Sequence, residues 1–266
     1  MSEKRSYDLK IDRAEKHLVD AETAIADYCA RHPYAVRKRM EGQKQKVRWR
    51  LQFTEQPHDD IALMLADFLY NMRSGLDHLA AALVPAKKRR SVAYPIFWKG
   101  VWEPSIKGEN QQRYKDRERW NSYTREMHPD AVALIKVNQP DDLGANESNG
   151  HPLAVLNRLR NADAHAKLPV VASLLREPTG SCRMTNGDLI LFRNLDLDAM
   201  AGLEHDAEVF GLPDDAVDVK IQGSPLIVIE DSHFPDGGLW VEGFRDLILD
   251  GTRKLINALR PFDRLA

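Results

Sequence analysis

The stretch "DDIALMLADFLYNMRSGLDHLAAALVP", Asp59 to Pro85, decides the fold. Ile61, Leu65, Phe68, Met72, Leu76, Leu79 and Leu83 recur at intervals of three and four, which puts seven apolar side chains on one stripe of a helix. Pro57 and Asp59 supply the start, and Val84-Pro85 the stop. A stripe this long must be covered by other helices, so the chain needs a helical core.

Three further segments supply partners. Ile11, Ala14, Leu18, Ala21, Ile25 and Tyr28 form the seam of a helix that His32-Pro33 ends. Leu153, Leu156 and Leu159 face inward on a helix that follows His151-Pro152 and is limited or kinked by Pro169. Phe244, Leu247, Leu255, Ile256 and Leu259 mark a last core helix over about 239–259. Between these lie three segments of other kinds. An irregular excursion over 85–110 docks Tyr94, Ile96 and Phe97, a helical stretch covers 111–137, and the turn-forming loop "NQPDDLGANESNGHP" runs from Asn138 to Pro152.

Strand signals are separate from the helical ones. "KVRWRLQF", Lys46 to Phe53, alternates Val47, Trp49, Leu51 and Phe53 against Arg48, Arg50 and Gln52, the pattern of a half-buried antiparallel strand. "DLILF", "AEVFG", "VDVKIQ" and "PLIVIE" are short strands that join it in one antiparallel sheet. The sum is an α+β protein, mainly an up-and-down bundle of four core helices with a small antiparallel sheet, organised as a single domain over 1–266. Whether the chain after Pro169 continues as helix or strand is left open by the pattern.

Composition excludes several classes. In 266 residues, 43% hydrophobic and 29% charged, no apolar run approaches the roughly 20 needed to span a bilayer, and no signal peptide opens the chain. A cytoplasmic protein with no membrane partner is therefore expected. Cys29 and Cys182 make neither a disulfide framework nor a zinc spacing and are expected as buried thiols. The net charge of −2 hides an uneven distribution. Arg31, Arg37, Lys38, Arg39, Lys44, Lys46, Arg48 and Arg50 are set against the single acid Glu41, and a basic stretch carrying Trp49 can follow a phosphate backbone and stack a base. The same stretch also reads as a solvated strand and turn.

Two polar seams interrupt the apolar helices. In "LNRLRNADAHAKL", Leu156 to Leu168, Asn161 and His165 share a face, Asp163 lies beside it, and Arg160 reaches toward His165. In "YNMRSGLDHLA", Asn71, Ser74 and His78 line one seam, and Arg73 and Asp77 the next. Buried without partners, such groups cost several kcal/mol, so they pair with each other, with water or with a ligand. Three readings stand: a satisfied network in which Asp77 and Asp163 accept from Arg73, Arg160 or the histidines; a metal site of Asp77, His78, Asp163 and His165, whose spacing matches no strong template; and a catalytic site. A Ser/His/Asp hydrolase is disfavoured, because no G-x-S-x-G elbow appears and Ser74 sits in mid-helix. No cofactor motif is present.

"RNADAH", Arg160 to His165, resembles the arginine, four to six residues, histidine motif of the HEPN superfamily of helical-bundle ribonucleases, including the asparagine after the arginine. The order "YNMRSGLDHLA", "YPIF", "NQP", "LRNADAHAKL" is also similar to a widespread uncharacterised bacterial family, over about Asp60 to Leu168. That family's later motif reads Asn, any residue, Asp-Lys-His-Arg; here Ala164 and Ala166 replace its lysine and arginine, while Arg158, Arg160 and Lys167 stay nearby.

The HEPN resemblance implies metal-independent RNA cleavage in a homodimer. His165 would be general base or acid for the ribose 2′-hydroxyl, Arg160 would stabilise the phosphorane, and Asn161 would orient His165. Asp163, His78, Asp77, Arg73 and Asn71 would complete the site, with Arg48, Trp49, Arg50 and Lys167 gripping RNA. Roles in toxin–antitoxin systems or phage defence follow from the same resemblance. The alternative is a non-enzymatic module whose polar residues form a structural network and which binds a protein partner or antitoxin through the bundle or the Arg37 to Arg50 face.

Overall fold

A computed structural model describes residues 4–41, 46–103, 111–140, 150–165, 168–193, 206–209, 212–213, 215–230 and 238–265, and among these described residues the chain forms six α-helices and seven strands. The fold class is α+β. The helices are α1 (Ser6–Ala30), α2 (Asp59–Ala82), α3 (Gln111–Thr124), α4 (Pro129–Val137), α5 (Pro152–His165) and α6 (Gly251–Leu259). The strands are β1 (Tyr34–Glu41), β2 (Lys46–Phe53), β3 (Val170–Met184), β4 (Leu189–Arg193), β5 (Asp206–Val209), β6 (Ala216–Glu230) and β7 (Gly238–Trp240). Contacts group them into two compact units. One holds residues 1–20, 63–168 and 243–266, and the other residues 21–62 and 169–242.

The first unit is helical. The whole apolar stripe of α2 within it, Leu65, Phe68, Met72, Leu76, Leu79 and Leu83, is at 0% exposure, as burial of a period of 3.6 requires. Tyr7, Ile11, Ala14 and Leu18 of α1 and Leu153, Leu156 and Leu159 of α5 join it. Gly75 lets α1 approach α2 closely, because a Cβ there would lie 2.7 Å from Ile11 Cδ1. Tyr94, Ile96 and Phe97 dock as expected, and the Gln139 side chain fixes their loop by accepting from Phe97 N (2.7 Å) and donating to Pro95 O (3.0 Å). The expected 111–137 helix is two, divided before Pro129, with the His128 side chain accepting from Asp130 N at the start of α4.

The last helix differs from expectation in its winding. Residues Gly238–Trp240 are strand, a short 3-10 turn follows, and Arg245–Asp250 form a π-helical turn before α6. The wider turn brings Phe244 and Leu249, five apart, into the core at 0% exposure, while Leu247 of the expected stripe is only half-buried.

The second unit carries two sheets where one was expected. β1, β2 and β5 form an antiparallel sheet with β2 in the middle, and the other is ordered β4-β3-β6-β7. The Tyr34 hydroxyl of β1 both donates to Gly223 O and accepts from Gly223 N of β6 at 3.0 Å, joining the sheets. "VDVKIQ" and "PLIVIE" are one continuous strand, β6, and the chain after Pro169 is strand β3. Register shifts between Ala172 and Leu175 and between Arg176 and Thr179 accommodate Pro225 and the irregular β3 sequence. Cys182 is buried as expected, but Cys29 is only half-buried, with its thiol raised by burial and 3.6 Å from Pro225 O.

Candidate functional site

Helix α2 carries its polar residues on two flanks of the apolar stripe, and the flanks have different surroundings. On one, Arg73 Nη2 donates to Tyr94 O at 2.8 Å and lies 3.1 Å from Asp77 Oδ1, which itself accepts from Tyr94 N at 2.9 Å. Arg73 and Asp77, one turn apart, thus satisfy both backbone groups of one buried residue, as a neighbouring strand would. Burial pushes the Tyr94 phenol well above its ordinary pKa, and Arg73 opposes this. Truncating Asp77 to alanine orphans the Tyr94 N–H and one arginine contact. We expect Asp77→Ala to cost about 1–3 kcal/mol, read as a fall of several degrees in melting temperature.

The other flank opens onto a cleft of about 500 Å³. Asp67, Asn71 and His78 of α2 line it together with Lys10, Arg13 and His17 of α1, which recur at three and four and so share a face. Arg13 Nε donates to His17 Nε2 at 3.2 Å, and His17 Nδ1 sits 4.0 Å from Asp67 Oδ2. Asn71, 7% exposed, donates its Nδ2 to Asp67 O at 2.8 Å. Burial, with Lys10 adding and Asp77 opposing, lowers the His78 pKa below its ordinary 6.5. His78 is therefore neutral at physiological pH, with a lone pair to accept a proton.

Helix α5 brings the second polar segment. Asp163 is half-buried, and its carboxyl is raised by burial, then by Asp67 of α2, with Arg160 opposing. The α5 segment and the Asp67 end of the cleft are thus electrostatic neighbours. Arg160 Nη1 reaches Asn161 Oδ1 at 3.4 Å, and Asn161 is exposed. His165 is the last residue of α5; its side chain, and Lys167 entirely, lie outside the described residues.

The raised carboxyl sets a pH dependence. The native protein keeps the Asp163 proton where the unfolded chain has lost it, so stability falls as pH rises through the ordinary 3.8 and stays lower above the folded value. We expect Asp163→Asn to melt above wild type at neutral pH, with the gap closing as the pH is lowered toward 3.8; melts across that range measure it.

The basic hairpin lies in the other unit. Arg37 of β1 pairs with Arg50 of β2, and Arg39 with Arg48, which puts four arginines on one face of the sheet. Arg37 and Arg39 are exposed and Arg48 and Arg50 half-buried. Trp49 corrects the sequence reading. It points to the opposite face and is only 6% exposed, so burial leaves its ring no open face on which to stack a base; the Lys38 ammonium lies 5.7 Å from its centroid.

Among the described residues no group of three His, Cys, Asp or Glu side chains is placed to hold a metal ion, and no helix is long and apolar enough to cross a membrane. The α1 contribution of Lys10, Arg13 and His17 was missed in the sequence, where exposed cations at helical spacing look like any solvated face. No protein-family model, curated protein or solved structure matches the chain.

Proposed function

We propose that this chain is a metal-independent endoribonuclease or RNA-binding protein with a HEPN-like four-helix up-and-down bundle formed by α1, α2, α5 and the C-terminal helix. The observation that carries RNA as the substrate is the β1–β2 register. Arg37 and Arg39 of β1 stand opposite Arg50 and Arg48 of β2, with Glu208 of β5 opposite Arg50 as the acid in that register, and the exposed Arg37 and Arg39 offer a polyanion its contacts on this face. Cleavage rests on the α5 segment: His165 moves the proton of the ribose 2′-hydroxyl, Arg160 meets the phosphorane charge, Asn161 orients the imidazole, and His78 is a second neutral base on α2. Arg160, which opposes the rise of the Asp163 carboxyl, is the cation that offsets the repulsion this carboxylate would exert on phosphate there. A homodimer, a cytoplasmic location and a toxin or phage-defence role belong to the same reading. The test is incubation of a mixed RNA pool with the purified protein in EDTA. Fragments ending in cyclic phosphate support the proposal, and an intact pool overturns the nuclease.

One observation favours the rival, a non-enzymatic interaction module. Arg73 and Asp77 both hold the Tyr94 backbone, so these two of the α2 polar residues serve the fold.

A further inference from the structure

The cleft between α1 and α2 is elongated. Its ends are marked by His17 against Asp67 and by His78 near Lys10, and eleven residues of α2 separate Asp67 from His78, which is about 16 Å along a helix. The two unambiguous cations, Lys10 and Arg13, lie one turn apart on α1. Tyr70, 54% exposed, lines the same cleft, and Lys10 Nζ is 5.8 Å from its ring centroid. A compact anion would need its cations converging on one point. Here positive charge, an aromatic face and amide and imidazole groups are spread along a line instead. That distribution matches a charged polymer whose phosphates repeat along its length and whose bases splay to the side.

We infer that the α1–α2 cleft is a track for a short run of single-stranded RNA. Successive phosphates sit on Lys10 and Arg13, one base stacks on Tyr70, and Asn71 and His78 hydrogen-bond along the strand. Asp67, the acid of the cleft, is set at its end beside His17, so it does not face the middle of the strand. The inference rests on the RNA reading above and adds the path the substrate takes.

The experiment measures binding apart from cleavage, using a fluorescein-labelled 2′-O-methyl oligouridine that lacks the attacking hydroxyl. Anisotropy titrations over a series of salt concentrations compare wild type, Lys10→Glu/Arg13→Glu, Tyr70→Ala and a charge control, Lys16→Glu, an exposed residue of α1 outside the cleft. All the substituted positions are at the surface, and melting curves verify that each variant is folded. We expect the double reversal to weaken binding by tenfold or more and to reduce the salt slope by about 1.4, the loss of two phosphate contacts to a single strand. Tyr70→Ala should weaken binding by about tenfold, and Lys16→Glu by less than twofold. Binding by the double variant within twofold of Lys16→Glu overturns the track, as does no binding by wild type. If wild type binds through the track but leaves unmodified RNA intact in EDTA, the track stands and the nuclease falls.

Discussion

Replacing His165 by alanine is expected to remove RNA cleavage and leave the fold in place. A positioned acid or base contributes about 10²–10⁴-fold to such a reaction, so the variant should fall to the background of the assay. His165 is the last residue of α5, ahead of Pro169, whereas the buried face of that helix is made by Leu153, Leu156 and Leu159. Circular dichroism and melting of both proteins alongside the EDTA assay separate the two readings. Wild-type cleavage, lost in a variant that melts with wild type, assigns the chemistry to His165. A variant that melts several degrees lower, with no cleavage by either protein, makes the Arg160–His165 segment part of the scaffold. His78→Ala is a useful companion: under catalysis it lowers the rate and alters the acid limb of the pH profile, because its neutral form is the one that the fold favours.

The largest effect on stability is expected at Gly180 in β3. A Cβ there would stand 2.1 Å from Lys220 O of β6 and 2.6 Å from the Phe192 ring of β4. A flexible side chain can move away from a new methyl, but the Lys220 carbonyl belongs to the backbone of a paired strand, across from Gly180–Ile221. Gly180→Ala must therefore part β3 from β6 or displace β3 locally, at a cost of about 3 kcal/mol or more. The urea midpoint should drop sharply, or soluble protein should be lost. Gly150→Ala, where a Cβ would meet nothing within 4 Å, is the control and should stay within about 0.5 kcal/mol of wild type. Equal behaviour of the two variants would show that the β3–β6 ladder yields at Gly180 without cost.

Legibility in the sequence followed regular periodicity. The stripe of α2 is buried residue for residue because a helix inside a helical core has no freedom to break its 3.6 period. Where the winding changes, so does the pattern, and the π-helical turn after Phe244 moved burial from Leu247 to Ile248 and Leu249. Strand β3 was hidden because its register against β6 shifts three times, which erases a period of two. Strand β1 was hidden by Lys38, a cation at an apolar-face position; its ammonium donates to Ala216 O at 3.1 Å and lies over the Trp49 ring. The site divided in the same way. The polar residues of α2 and α5 stood out against apolar helices, whereas Lys10, Arg13 and His17 acquire meaning only when the approach of α1 at Gly75 sets them against Asn71 and His78.

Neither compact unit is drawn from one unbroken run of the chain. The sheet-bearing unit has all its residues once synthesis passes Glu242, while the helical unit, whose polypeptide starts first, still waits for residues 243–266 and the Phe244, Ile248 and Leu249 contacts they bring. On the ribosome the order of completion is therefore inverted relative to the usual N-terminal-first sequence. Until the last segment emerges, the apolar stripe of α2 lacks one of its covers, and that interval is when a chaperone or a binding partner has the most surface to hold.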